Sequence, residues 1–539
     1  MLSVDALLEP LAIRVPYDYA GKQSIPFRGI ALRTSRRLAG RRFMVLVDSN
    51  WGQRAWEKLG YPDRTREEVI NEAHANGAAG FVVNESLKGE PFLADKNCFF
   101  VANTLDFAFR LVETVRALTT KKVVAVTGSA GKSTTKAMVT HVLRHLPEGP
   151  EVYSPPSADN IFTSVTCQLS RVDNPDYSVL EVAGSAFLRF HKNDFTVSPD
   201  VAILTSISEA HLDYLDDLEG IARRKSRLFD RQPAGGQAVI NLDTPRADQL
   251  IEHAQQQGSQ VVTFGESAEA MVRLLDYQAA TRHAVMEVDG TRVEVTIGAA
   301  GRHMAVNALA VLATLRALQI PNWAEALASL ETFDALPGRG ATSTVQLSGG
   351  AVTVIDESYN ANPASIRAAL NAMANRPVAT GGRRIVVLGD MLELGAQSEE
   401  IHRDLAPSLE QLGDTQIHLL GEQMAALHAV VHAQRPGVRH WSDLEELRTA
   451  LLAEVQPGDV ILLKGSNGMR LGTIAQEIQK LAAVPAEPAG PEQAELQQAE
   501  PAPGEREQAE GEQKPEEGRA SGVGLLSALR RKLGRRDAS

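Results

Sequence analysis

Lys132, Ser133 and Thr134 follow Thr127-Gly128-Ser129-Ala130-Gly131 without a break, and these residue types in this order can hold a polyphosphate. Gly128 and Gly131 let the backbone curl without a Cβ penalty, so that successive N–H groups and the start of a following helix face one anion. The Lys132 ammonium then serves the β- and γ-phosphates of a nucleotide, and the hydroxyl of Ser133 or Thr134 serves Mg²⁺. The usual GxxxxGK[ST] spacing would put glycine at Val126, so the motif here is a shortened GxxGKST. The bland alternative is an ordinary strand-to-helix turn that happens to hold Gly-Lys-Ser. The apolar run Val123 to Val126 before it and the helical pattern after it weigh against that alternative.

Three more residues can reach the same place. Glu181 lies at the end of a strand-like run beginning at Tyr177, and His211 lies in Ser206-Ile207-Ser208-Glu209-Ala210-His211-Leu212-Asp213, directly after the strand-like Val201 to Thr205. Open α/β sheets bind ligands at the carboxyl ends of their strands. A carboxylate and an imidazole there form a reasonable Mg²⁺ pair beside ATP, although a single buried histidine is more often structural. Lys225 lies at helical spacing between Ile221, Ala222, Leu228 and Phe229. A basic run on a helix is ordinarily a solvated face, but an inward lysine is unfavourable unless paired or modified. Neither GxSxG nor a Cys/His pairing offers a nucleophile for a covalent enzyme intermediate.

The elements that must position these residues alternate in type. A chain of 539 residues has the length of roughly three to four ordinary domains. Residues 1–119 mix short strands, Arg42 to Val47 and Gly80 to Val83, with helical patterns at Arg66 to Asn76 and Phe107 to Ala117. In residues 120–334 apolar strands alternate with helices, including Gln237 to Asn241 as strand and Met304 to Leu318 as helix. Residues 335–483 repeat the habit with strands at Val352 to Asp356, Arg384 to Gly389, Gln416 to Leu420 and Asp459 to Lys464. The expected fold class is α/β, with a central P-loop parallel-sheet domain and a Rossmann-like C-terminal domain that lacks a GxGxxG turn. Residues 484–539 are rich in Pro, Ala, Glu and Gln and are expected to be disordered, apart from a short basic end in which Leu526, Leu529 and Leu533 share one helical face. That end is either a weak anchor to an anionic membrane surface or protein partner, or a solvated tail.

A net charge of −12 argues against general nucleic-acid binding, and Cys98 and Cys167 alone give no disulfide or metal-cluster framework. With no secretory leader pattern and no uninterrupted apolar stretch of about 18 residues, the expected location is the cytoplasm.

Taken together, these motifs resemble the Mur ligase family of ATP-dependent amide-forming enzymes over roughly residues 25 to 482. The resemblance rests on Thr127 to Thr134, Glu209-Ala210-His211-Leu212, Ala222 to Lys225, and Gly301-Arg302-His303 with Asn307-Ala308-Leu309-Ala310. Asp356-Glu357-Ser358-Tyr359-Asn360-Ala361-Asn362-Pro363, Leu388-Gly389-Asp390-Met391-Leu392-Glu393-Leu394-Gly395 and Lys464 to Arg470 look like the branch that adds D-alanyl-D-alanine to a UDP-muramoyl tripeptide in peptidoglycan precursor synthesis. The resemblance implies that Thr127, Gly128, Ser129, Ala130, Gly131, Lys132, Ser133 and Thr134 hold the ATP phosphates, with Lys132, His211 and Lys225 catalytic. It implies that Ser133, Glu181 and His211 ligate Mg²⁺, and that CO₂ carbamylates Lys225 so that it supports a second Mg²⁺. Asn307 would contact adenine, with Arg339 and Asp356 completing the nucleotide site from the third domain as the domains close on ATP. Ser35, Arg36 and Asn160 would touch the carboxylate substrate, and Asn360, Asn362 and Pro363 would shape the pocket of the amine donor. The resemblance further implies a monomer in which ATP converts a carboxylate to an acyl phosphate and the amine displaces phosphate.

The first block departs from the family pattern, with Thr34-Ser35-Arg36 before Phe43-Met44-Val45-Leu46-Val47-Asp48-Ser49 where the UDP contacts are expected. The asparagine-rich loop is reduced to Asp159-Asn160-Ile161-Phe162-Thr163-Ser164, Val182-Ala183-Gly184-Ser185 follows Glu181, Ser206 stands where asparagine is common, and Met304 follows His303. Two alternatives follow: an amide ligase of this type recruited to another carboxylate and amine, as in a secondary-metabolite or capsule pathway, or an ATP-binding regulatory protein that no longer ligates.

Overall fold

Three β-sheets, each covered by helices, succeed one another along the chain. The structure, a computed structural model, describes residues 2–32, 42–45, 64–155, 160–173, 175–192, 194–208, 217–392 and 394–481. Ser35, Arg36, Asp159, His211 and the tail lie outside those residues. All three sheets belong to one contact unit, residues 1–485.

The first sheet contains β1 (Asp18–Ala20), β2 (Ile30–Ala31), β3 (Phe43–Val45), β4 (Gly80–Asn84) and β5 (Cys98–Val101) in the order β1-β5-β4-β3-β2. Only β1 runs antiparallel to its neighbour; the others pair in parallel. Parallel strands covered on both faces read as continuous apolar runs, and Phe43, Phe81 and Phe99 are fully buried. Phe43, Phe99 and Phe107 pack with ring centroids 5.7 and 5.1 Å apart, in the tilted geometry that aromatic quadrupoles favour.

Among the described residues the central sheet has nine strands: β6 (Lys122–Thr127), β7 (Val152–Tyr153), β8 (Tyr177–Glu181), β9 (Val201–Leu204), β10 (Gln237–Asn241), β11 (Gln260–Gly265), β12 (Val272–Gln278), β13 (His283–Val288) and β14 (Thr291–Thr296). Their order is β14-β13-β12-β11-β10-β9-β6-β8-β7. From β7 to β12 every pairing is parallel, and β13 and β14 add an antiparallel hairpin that the helix-and-strand alternation did not anticipate. The decisive feature is that β6 lies between β8 and β9. The carboxyl ends of those three strands, Thr127, Glu181 and Leu204, therefore meet at one edge, where such sheets bind ligands.

The third sheet contains β15 (Ala341–Leu347), β16 (Gly350–Glu357), β17 (Arg384–Gly389), β18 (Thr415–Leu420), β19 (Arg439–Trp441) and β20 (Val460–Lys464), in the order β15-β16-β20-β17-β18-β19 with only β15 antiparallel. Two apolar clusters fill its faces, one around Ile366, Leu370 and Met373, the other around Leu447, Leu451 and Ile474. This is the doubly covered arrangement expected of a Rossmann-like unit.

Candidate active site

Gly128 and Gly131 shape the phosphate loop for two different reasons. At Gly128, with φ +152°, a Cβ would come within 2.0 Å of the Thr205 hydroxyl; at Gly131, with φ +78°, it would lie 2.8 Å from Asn307 Oδ1. Glycine alone accommodates both the backbone and the approach. The end of β9 acts as the loop's outer wall. Thr205 Oγ1 donates to the Thr127 carbonyl at 3.2 Å, Ala130 N donates to Ser206 Oγ at 2.9 Å, and Ser129 N donates to the Ser206 carbonyl at 2.8 Å. Thr205 and Ser206 had no assigned role in the sequence; their position directly after a strand of the binding edge is the signal that could have found them.

Two lysines converge on one carbonyl of this loop. Lys132, at the start of the helix Lys132–Arg144, donates to Gly128 O at 3.0 Å, and Lys225, the last residue of the helix Leu218–Lys225, donates to the same oxygen at 3.0 Å. The Leu218–Lys225 helix is fixed at its start by Asp217, whose carboxylate accepts from Gly220 N at 2.7 Å. Burial lowers the Lys132 pKa, with Glu181 opposing and Arg339 adding to the fall. Burial drives the Lys225 pKa well below the ordinary lysine value, helped by the charges of Lys132 and Arg224.

Glu181 is buried at the end of β8 and accepts from two sides: from the Ser133 hydroxyl through Oε2, and from Asn160 Nδ2 through Oε1 at 2.8 Å. Asn160 therefore orients this carboxylate. Hydroxyl and carboxylate oxygens are the hard donors Mg²⁺ selects, so Ser133 and Glu181 fit that ion. Among the described residues no group of three or more His, Cys, Asp or Glu could hold a metal by itself. That suits Mg²⁺, which relies on one or two carboxylates together with substrate phosphates and water.

Asn307, in the helix Arg302–Ala317, accepts from the Thr135 hydroxyl at 3.2 Å and abuts Gly131. From the third sheet, the Arg339 guanidinium lies 3.8 Å above the Tyr359 ring, and Asp356 accepts from Gly338 N at 2.9 Å and Ser358 N at 3.1 Å. Asn362 caps the helix Pro363–Ala374, accepting from Ser365 N, and Pro363 occupies its first turn, so both have a structural duty there. Asn360 is exposed beside them. A cavity of about 750 Å³ begins at Ser133 and Arg339 and follows the outer face of the helix Lys132–Arg144 past Lys136, His141 and Arg144 to Phe333, Leu336 and Tyr359. Among the described residues its lining includes no carboxylate, which favours an anionic ligand. Thus Lys132, Ser133, Glu181, Asn160, Lys225 and Asn307 meet at the loop and Arg339 meets the adjoining cavity, whereas Asn360, Asn362 and Pro363 sit at the third sheet's own edge.

Residues 126–315 match the family model described as Mur ligase middle domain, and residues 342–467 match that described as Mur ligase, glutamate ligase domain. A Mycobacterium bovis protein named "UDP-N-acetylmuramoyl-tripeptide--D-alanyl-D-alanine ligase" is 31% identical over 383 residues, covering 66% of this chain and 72% of the relative. The Rickettsia prowazekii protein of the same name is 26% identical and covers 77% of this chain and 90% of its own length. Among solved structures, MurF from Acinetobacter baumannii superposes with a TM-score of 0.70 at 23% identity, covering 88% of this chain and 98% of that one. MurF ligase from Thermotoga maritima, solved in complex with ADP, gives 0.65 at 21% identity, with 85% and 98% covered.

Proposed function

The chain belongs to the Mur ligase family, and on that premise we propose that it joins D-alanyl-D-alanine to UDP-N-acetylmuramoyl-tripeptide at the expense of ATP, completing a peptidoglycan precursor. The observation that carries this reading is the convergence of Lys132 and Lys225 on Gly128 O beside the Ser133–Glu181 pair. Two lysine side chains at one carbonyl, next to a loop built for phosphate, suit a polyanion.

Within that site the chain's own groups have distinct tasks. The loop N–H groups and Lys132 hold the phosphates of ATP and neutralise charge as the terminal phosphoryl passes to the substrate carboxylate. Arg339 brings a second cation from the third sheet, and Asp356 holds the turn that carries it through Gly338 N. Ser133 and Glu181 would hold Mg²⁺, with Asn160 fixing the carboxylate; the ion would supply positive charge to offset that of the phosphates. The acyl phosphate then meets the amine, whose attack expels phosphate from a tetrahedral species beside the same cations. Lys225, whose pKa burial pushes well below the ordinary lysine value, can give up its proton to solvent and take up CO₂ as a carbamate, an anion suited to a second Mg²⁺. His211 completes the ligand set in this reading. The protein is proposed to act as a cytoplasmic monomer; among the described residues no helix is long and apolar enough to cross a membrane. The basic end of the tail, Gly524 to Ser539, is proposed as a weak docking element, which its deletion would test by altered cell fractionation.

Phosphate release from ATP and Mg²⁺, with both substrates present and each omitted in turn, tests the activity. Release that needs both, with the UDP-linked pentapeptide found by mass, supports the assignment. Retained ATP binding without product would move the reading to a ligase recruited to another carboxylate, the reading that the departures around Ser35 and Arg36 favour.

A further inference from the structure

Lys464 ends β20 with its side chain only 3% exposed, yet it takes no part in the phosphate site. A buried ammonium is tolerated only with partners, and among the described residues Lys464 has two: the Glu357 carboxylate at 3.0 Å, across the last rung of the β16–β20 ladder, and the backbone carbonyl of Asn360 at 3.3 Å. The pair thus reaches past the end of β16 and holds the loop 358–362 at its midpoint. The same loop is tied at its start by Ser358 N donating to Asp356, by Tyr359 N donating to Gly338 O at 3.0 Å, and at its end by the Asn362 cap.

We infer that Lys464 is a positioning residue for the amine donor: bonded to Glu357 and to the Asn360 carbonyl, it fixes loop 358–362 so that the exposed Asn360 is presented at the carboxyl edge of the third sheet. The inference rests on the proposed ligase reading for the identity of the donor. It separates two parts of β16 and its following loop, because Asp356 serves the nucleotide turn while Asn360, four residues on, depends on Lys464.

The test replaces Lys464 by Met, which keeps length and removes charge, and compares it with Glu357→Gln, which keeps an acceptor for Lys464. Lys464→Met should raise KM for D-alanyl-D-alanine at least tenfold and leave KM for ATP within twofold. Glu357→Gln should give a clearly smaller rise. Deuterium uptake in the full-length protein without substrates should increase about tenfold at residues 358–362 in Lys464→Met and stay unchanged at 127–135. A parallel rise in both KM values, or unchanged uptake at 358–362, overturns the role. If the wild-type chain makes no product from D-alanyl-D-alanine, the proposed function fails, and the uptake comparison still decides the role of Lys464. Should Lys464→Met not fold, Lys464→Gln, which keeps a donor for the Asn360 carbonyl, replaces it with an intermediate effect expected.

Discussion

Lys225 is the residue whose environment is hardest to explain without chemistry. Its ammonium is buried, has a backbone carbonyl as its hydrogen-bond acceptor, and lies close enough to Lys132 for the two charges to repel. Such a group is unfavourable in a core unless something converts or pairs it. Lys225→Ala should reduce phosphate release by about a hundredfold or more, the scale of losing one preorganised electrostatic contact. Millimolar acetate or formate should then restore a measurable part, because a small anion in the vacated space replaces the carbamate. Failure of every short carboxylate to restore turnover would remove the carbamate from the mechanism while leaving the lysine essential. The helical stripe of Ile221, Ala222, Leu228 and Phe229 made the inward direction of Lys225 legible in the sequence. Its meeting with Lys132 at Gly128 O was not, since 93 residues separate them.

At the level of elements, the phosphate loop and β18 make separate predictions. Gly128→Ala puts a methyl against Thr205 Oγ1 and Ser206 N at the wall built by β9, so the loop must open. ATP affinity should fall at least tenfold by calorimetry, while the thermal midpoint moves little because the core beneath is untouched. In β18, His418 is fully buried, stacked on Trp441, and its Nδ1 accepts from Trp441 Nε1 at 3.2 Å. That bond leaves the proton on Nε2, which has no partner among the described residues. Desolvation, with Arg439 assisting, lowers its pKa from 6.5 to about 4. An unfolded chain therefore takes up a proton below pH 6.5 that the folded chain excludes until about pH 4. Stability is full above 6.5 and declines as pH falls towards 4, by up to ~3 kcal/mol from this group. His418→Gln keeps an acceptor for Trp441, and urea unfolding at pH 7 and pH 4.5 should show a smaller difference than in the wild type. The β13–β14 hairpin, unread in the sequence, had a plain signal in Asp289-Gly290, whose φ values of +48° and +75° form the two-residue turn that favours Asp-Gly.

For the whole molecule, the phosphate site draws on a sheet more than 200 residues downstream of the loop: Arg339 lines the cavity that Ser133 opens. Its guanidinium rests on Tyr359 and, among the described residues, forms no ion pair, so it is held in place and keeps donors for an anion. Arg339→Ala should raise KM for ATP by about tenfold or more, in the range expected for a charged hydrogen bond, and leave the melting temperature within 2 °C or so because no buried partner is stranded. An equal loss in melting temperature would assign Arg339 to the fold instead.

By itself the sequence determined the chemistry available and the local elements that carry it. GxxGKST after a buried strand fixes a phosphate loop because glycine freedom and helix start are local properties, and the apolar runs at Gln237 to Asn241 and Arg384 to Gly389 coincide with strands β10 and β17. Only the tertiary structure decided that β6 lies between β8 and β9, which places Glu181 on one side of the loop and Thr205 on the other. Strand order depends on how helices cover the sheet, and no short window of residues encodes it. The same holds for Asn160, which turned out to orient Glu181, and for Lys464, whose partners Glu357 and Asn360 lie more than 100 residues upstream. Burial settles the rest: a lysine's charge becomes chemistry only when the fold removes water from it.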